Sequence, residues 1–247
     1  MLFARFAFPP NRLGYCGPAS PRTLFEVAGA GAAAEVTQMA REFDGAYPYL
    51  QLIASTNRIG DPLDVRVVEA YWIGSPLLDR VDVSAMGGAL DERFRPRVGP
   101  KWGFLAETIP AGAAPHHAFH VFGVYPWVGL LRTGEVDHPL RVLDRCRIRW
   151  GVVEAVTGDR AVVRCRPLSW DGRRLDYGEP ILETVEWAAD GSSLIGPLAK
   201  GDVVACHWDW VCDRLSPERL ERLQTWTARQ LDLVNRAPHP APGNVLG

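Results

Sequence analysis

The feature that most constrains this chain is a change of texture at Asp137-His138-Pro139. Before it the chain reads as helical, with a segment over 23–43 rich in Ala, Glu, Met and Gln that carries apolar residues at helical spacing. After it come short Val- and Ile-rich runs separated by Gly-Asp and Asp-Gly turns, with no helical stretch between them. A chain that switches period in this way segregates helices from sheet, so the expected class is α+β. The expected organisation is a mainly helical domain over residues 1–137, a small antiparallel β-barrel with a C-terminal helix over 140–236, and a flexible proline-rich tail over 237–247.

In the first part the pattern predicts one helix or two short ones over 23–43, weakened by Gly29 and Gly31, and another over 49–59. A third is opened by Asp61-Pro62 and stopped by Gly74-Ser75-Pro76. A fourth covers 77–94 with a break at Gly87-Gly88, followed by a Pro- and Gly-rich loop over 95–103. Pro115 opens a fifth, carrying His116, His117 and His120. Residues 1–10 read as a short apolar run, interrupted by Arg5 and closed by two prolines, which is not a secretory signal. In the second part, 146–156 and 160–165 form a hairpin about Thr157-Gly158-Asp159, and 181–187 and 203–211 are single strands. Ser216 caps a last helix with Pro217 in its first position, and Leu215 is placed to staple onto Leu220.

Composition excludes several functions. A net charge of -2 over 247 residues leaves no overall electrostatic footprint for nucleic acid or anionic membrane. No run of apolar residues is long enough to span a bilayer. The 5 cysteines form an odd set without a Cys-x-x-Cys pair, which points to reduced thiols and a cytoplasmic protein rather than a disulfide framework.

Chemistry concentrates in two fragments. Cys146-Arg147-Ile148-Arg149-Trp150-Gly151-Val152-Val153 places a thiol before a Gly with four residues between them, Cys-x4-Gly, ahead of a Val-rich hairpin. Gly201-Asp202-Val203-Val204-Ala205-Cys206-His207 ends a strand on an imidazole, and the terminal helix follows. In this order the motifs resemble the HypC family of nickel-iron hydrogenase maturation chaperones, over about 146–234. The resemblance implies an oligonucleotide-binding-like barrel in which Cys146 and His207 help hold iron carried transiently on its way to the hydrogenase large subunit. The partners it implies are that subunit or another maturation protein, with neither nucleic acid nor membrane, and the role is a non-enzymatic accessory one. The Arg149-Trp150 pair, the bulky Trp208 and the internal position of Cys146 depart from the family pattern, as does the long insert over 166–181. As a whole, with Phe6-Ala7-Phe8-Pro9-Pro10, Gly14-Tyr15-Cys16-Gly17-Pro18 and Tyr71-Trp72, the chain resembles an uncharacterised bacterial family that accompanies hydrogenase genes.

A different class remains open beside it. Cys16, in a Gly- and Pro-flanked turn, is a candidate nucleophile. His116 and His120, four apart, would share one helical face and form a candidate metal pair, with His117 pointing elsewhere. Either would make the chain a thiol- or metal-dependent enzyme. A third reading is an assembly factor whose barrel keeps only protein contacts.

Overall fold

The opening apolar run is a helix. In the computed structural model, which describes residues 1–82, 86–88 and 112–236, α1 (Leu2–Arg12) buries Phe3, Phe6, Ala7 and Phe8 and carries Pro9 and Pro10 in its last turn. Arg5, which interrupts the run in sequence, pairs with Asp213 at 3.0 Å. The region 23–43 divides into α2 (Pro21–Gly29) and α3 (Ala33–Ala40). Gly31 lies between them at φ +74°, a conformation other residues rarely adopt. Then come α4 (Tyr47–Thr56) and α5 (Val65–Trp72). Asp64 rather than Asp61 caps α5, accepting from the Arg66 N–H at 2.9 Å.

Of the helix expected over 77–94, the described residues hold a 3₁₀ turn at Leu78–Arg80 and a helical piece at 86–88, which includes Gly87-Gly88, where a break was expected. The expected loop over 95–103 and the tail over 237–247 lie outside the described residues. The fifth helix starts later than Pro115: α6 (His117–Phe119) is a single turn capped by His116, and it passes into a π-helical turn at His120–Val124. After α7 (Trp127–Arg132), the sequence Asp137-His138-Pro139 opens α8 (Asp137–Cys146) instead of the sheet. Pro139 sits in the first turn, where a missing N–H costs nothing, and Val142, Leu143 and Cys146 follow at helical spacing on the buried face. Cys146 therefore ends a helix and does not begin a strand.

Seven strands follow: β1 (Arg149–Thr157), β2 (Arg160–Cys165), β3 (Leu168–Trp170), β4 (Leu175–Tyr177), β5 (Ile181–Glu186), β6 (Val203–His207) and β7 (Trp210–Arg214). The order β1-β2-β5-β7-β6, with β6 back on β1, closes a circuit of pairings. The β5 to β7 pairing is parallel, so the sheet is mixed and not purely antiparallel as expected. Gly151 is required where β1 crosses β2, because a Cβ there would stand 2.5 Å from the Arg164 carbonyl oxygen. The insert over 166–181 forms its own ribbon, β3 with β4. The single strand expected over 203–211 is a hairpin whose two-residue turn is Trp208-Asp209, with His207 opposite Trp210. Helix α9 (Pro217–Arg236) closes the described chain, and the Ser216 hydroxyl accepts from the Arg219 N–H at 3.2 Å.

The chain is α+β, but helices and strands share a core. Phe3, Phe6, Leu50, Tyr71 and Trp72 pack in one apolar cluster with Ile148, Ala205, Trp210, Cys212 and Trp226. A second cluster, with Val153, Val163, Cys165, Val185, Val204, Cys206 and Val211, fills the space enclosed by the strands. Strand alternation on β6 divides these sides: Val204 and Cys206 point into the strand cluster, whereas Ala205 and His207 face α1 and α5.

Candidate metal centre

Two backbone carbonyls that their own helices leave open organise the site. Pro10 has no N–H, so the Phe6 carbonyl four residues earlier in α1 loses its helical donor. The His207 Nδ1–H donates to it at 2.7 Å. Cys146 is the last residue of α8, where carbonyls also lack helical donors, and the His117 Nε2–H donates to the Cys146 carbonyl at 2.7 Å.

A carbonyl only accepts, so each bond selects a tautomer. The lone pair of His207 is left on Nε2, which is buried without a hydrogen-bond partner. That of His117 is left on Nδ1, which faces the Tyr71 hydroxyl at 3.3 Å. The same hydroxyl lies 3.2 Å from the Gly45 carbonyl, an alternative acceptor for its proton.

One ligand atom each from His117, Cys146 and His207 lies within 4.8 Å of the other two. Atoms so disposed leave a point no more than about 2.8 Å from all three, close to transition-metal bond lengths of roughly 2.0–2.3 Å. The imidazoles of His117 and His207 stand edge to face at 5.0 Å between centroids, with the Trp72 indole against both. The three residues are 5%, 9% and 1% exposed, respectively. Burial lowers His117 to about 4, against the opposing effect of its hydrogen bond to the Cys146 carbonyl, and takes His207 well below the ordinary imidazole value, with His117 adding to the effect. Burial raises the Cys146 thiol, and Cys16 raises it further.

The centre is thus two neutral imidazoles and a protonated thiol in a dry setting. A nucleophilic cysteine needs the opposite, a thiol whose pKa is lowered by a nearby cation. A nitrogen and sulfur set of this kind suits iron, zinc, nickel or copper, with the metal displacing the thiol proton.

The turn after His207 covers this region from the strand side. Trp208 adopts φ +54°, a rare conformation for a bulky residue. Its N–H donates to the Arg145 carbonyl at 2.7 Å, its carbonyl accepts from the Arg149 guanidinium, and its ring stacks on Tyr15 at 4.3 Å. Arg149 in turn pairs with Glu183, both side chains being buried. The Arg149 and Trp208 departures in sequence therefore belong to one structural unit, which ties the hairpin to the end of α8.

The other sequence candidates are not members of this group. His116 precedes α6, and its Nδ1 accepts from the Ala118 N–H at 3.1 Å. His120 packs its ring against Tyr125 at 4.5 Å, and its Nδ1 is 3.3 Å from the Tyr49 hydroxyl. Because the helix begins only at His117, the four-residue spacing does not create a shared helical face. Cys16 is half-buried, its carbonyl accepts from Asn11 Nδ2 at 2.7 Å, and burial pushes its thiol to about 12. His117, expected to point elsewhere, joins Cys146 and His207 in the group. Only knowledge that α6 starts at His117 would have singled it out.

No curated protein and no solved structure matches the chain. A family profile described as a family of unknown function, DUF6390, matches residues 1–241, and the chain belongs to that family.

Proposed function

We propose that this protein is an accessory factor of nickel-iron hydrogenase maturation, which engages the hydrogenase large subunit or another maturation protein and holds or guards its iron through Cys146 and His207. The observation that carries this reading is the convergence of those two side chains, 61 residues apart in sequence, on one buried point. Their order and spacing, with Gly151 at the strand crossing and Gly201-Asp202 before β6, resemble the HypC pattern. The closed circuit of strand pairings is compatible with a HypC-like, oligonucleotide-binding-like barrel. On this reading iron is cargo: the thiolate supplies a soft, strongly donating ligand and the His207 Nε2 lone pair a second. The shared core of helices and strands makes the helical segment part of the holding structure as well as a partner surface.

The test is genetic and biochemical. In a hydrogenase-producing strain, deleting the gene should lower hydrogenase activity, and a Cys146→Ala, His207→Ala double variant should fail to restore it. A tagged wild-type protein should co-purify the large subunit or a maturation protein. Normal hydrogenase activity in the deletion strain would overturn the reading.

A further inference from the structure

We infer that His117 is a third ligand of this centre, so that the site takes a borderline or soft divalent transition ion in a set of one sulfur and two nitrogens. The inference rests on the Cys146 and His207 pairing proposed above and adds to it a ligand outside the HypC-like segment.

Three observations carry it. First, the His117 ligand atom is as much a member of the group as the other two, all within 4.8 Å of one another. Second, the hydrogen bonds of His117 are those of a ligating imidazole: one nitrogen donates to a backbone carbonyl at 2.7 Å, which orients the ring and leaves the other nitrogen as a base. His207 repeats the arrangement through the Phe6 carbonyl. Third, the remaining contact on His117 is easily given up. The Tyr71 hydroxyl stands 3.3 Å from Nδ1 and 3.2 Å from the Gly45 carbonyl, so its proton has an acceptor in Gly45 that leaves the imidazole lone pair open. The His207 Nε2 has no partner to lose at all.

The closure required is small. Around a tetrahedral ion with bonds of roughly 2.0–2.3 Å, ligand atoms stand about 3.3–3.6 Å apart, so the group contracts by at most about 1.5 Å. Charge balances simply: a divalent ion enters, the Cys146 S–H bond breaks, the sulfur keeps the electron pair and one proton leaves to solvent. No oxidant or reductant is involved. The three ligands come from α6, α8 and β6, so the centre is complete only while the helical segment is packed on the strands.

The full chain, purified without oxygen and stripped of metal, is titrated with Co²⁺, and its Zn²⁺-loaded form is measured by X-ray absorption. The expected result is one ion per chain, with a first shell of one sulfur and two imidazoles. A thiolate-to-cobalt charge-transfer band should be present in wild type and absent in Cys146→Ser. His117→Gln should keep that band, weaken binding roughly tenfold or more, and shift the cobalt ligand-field bands. A wild-type shell with a single imidazole, or unchanged affinity and bands in His117→Gln, would remove His117 while leaving the Cys146 and His207 reading intact. Failure of wild type to take up either ion, or an unchanged charge-transfer band in Cys146→Ser, would overturn the centre itself. The absorption measurement uses wild type, so it decides the case even if a variant does not fold.

Discussion

Acidification should destabilise the metal-free protein progressively as pH falls below 6.5. His116, His117, His120 and His207 are buried, and burial lowers all four, to about 3, 4 and 3 for the first three and well below the ordinary value for His207. An unfolded chain has histidines near 6.5, so below that pH the unfolded state binds protons that the folded state refuses. The stabilisation is fully present above pH 6.5 and is lost as pH falls from there towards 4. At pH 5 each such histidine costs about 2 kcal/mol relative to pH 7.5, and four together cost about 8 kcal/mol. That is comparable to the whole stability of an ordinary domain, roughly 5–15 kcal/mol. The Asp64 carboxyl, held at about 2 chiefly by its hydrogen bond with Arg66, still carries its charge throughout this window and does not contribute. Urea unfolding followed by tryptophan fluorescence at pH 7.5, 6.5, 5.5 and 5.0 should show the midpoint falling steeply below 6.5. A midpoint constant between pH 7.5 and 5.0 would refute the claim that these imidazoles are buried and neutral.

Gly151→Ala forces a Cβ to 2.5 Å from the Arg164 carbonyl oxygen and should cost about 1–3 kcal/mol, read as a lower urea midpoint; an unchanged midpoint would mean the strands do not cross so closely there. Glu183→Gln strands the buried Arg149 guanidinium and should destabilise by about 3–5 kcal/mol, measured by thermal melting. Cys16, with its thiol near 12, should react with a disulfide reagent at pH 8 roughly a hundredfold more slowly in the folded protein than in urea; rapid labelling of the native chain would restore it as a nucleophile.

What the sequence disclosed was what is settled locally. The turn at Gly158-Asp159, the Ser216 cap with Pro217, and the stop of α5 near Gly74 depend on residues close in the chain, and each lies where local chemistry put it. Helix α1 was hidden because Pro9 and Pro10 look like a helix terminator. The Phe6 carbonyl that Pro10 leaves open is satisfied by a donor 201 residues further along the chain, the His207 imidazole. The β6 and β7 hairpin was hidden because its turn, Trp208-Asp209, lacks the glycine that usually supplies a positive φ, and Trp208 adopts that conformation under contacts from Arg145, Arg149 and Tyr15. At the candidate site the thiol and one imidazole stood out through spacing, whereas His117 depended on where a one-turn helix starts, a matter of tertiary packing.

The hydrogen bonds that orient the candidate ligands also dock the pieces of the fold. His207 joins β6 to α1 through the Phe6 carbonyl, and His117 joins α6 to the end of α8 through the Cys146 carbonyl. Ligand geometry and the packing of helices on strands are therefore one set of contacts, and an ion bound at the centre must stabilise the whole assembly. Binding to the folded state alone adds RT ln(1 + [L]/Kd), about 2.7 kcal/mol at one hundred times Kd. For a chain of this length that corresponds to a rise in Tm of roughly 5–10 °C. The increment should vanish in Cys146→Ser and shrink in His117→Gln. It should also fade as pH falls, because protons compete with the metal for thiolate and imidazole. If wild type binds one ion through the Cys146 thiolate yet melts at an unchanged temperature, the three ligands do not bridge the helical segment and the strands, and the link between the site and the packing is broken.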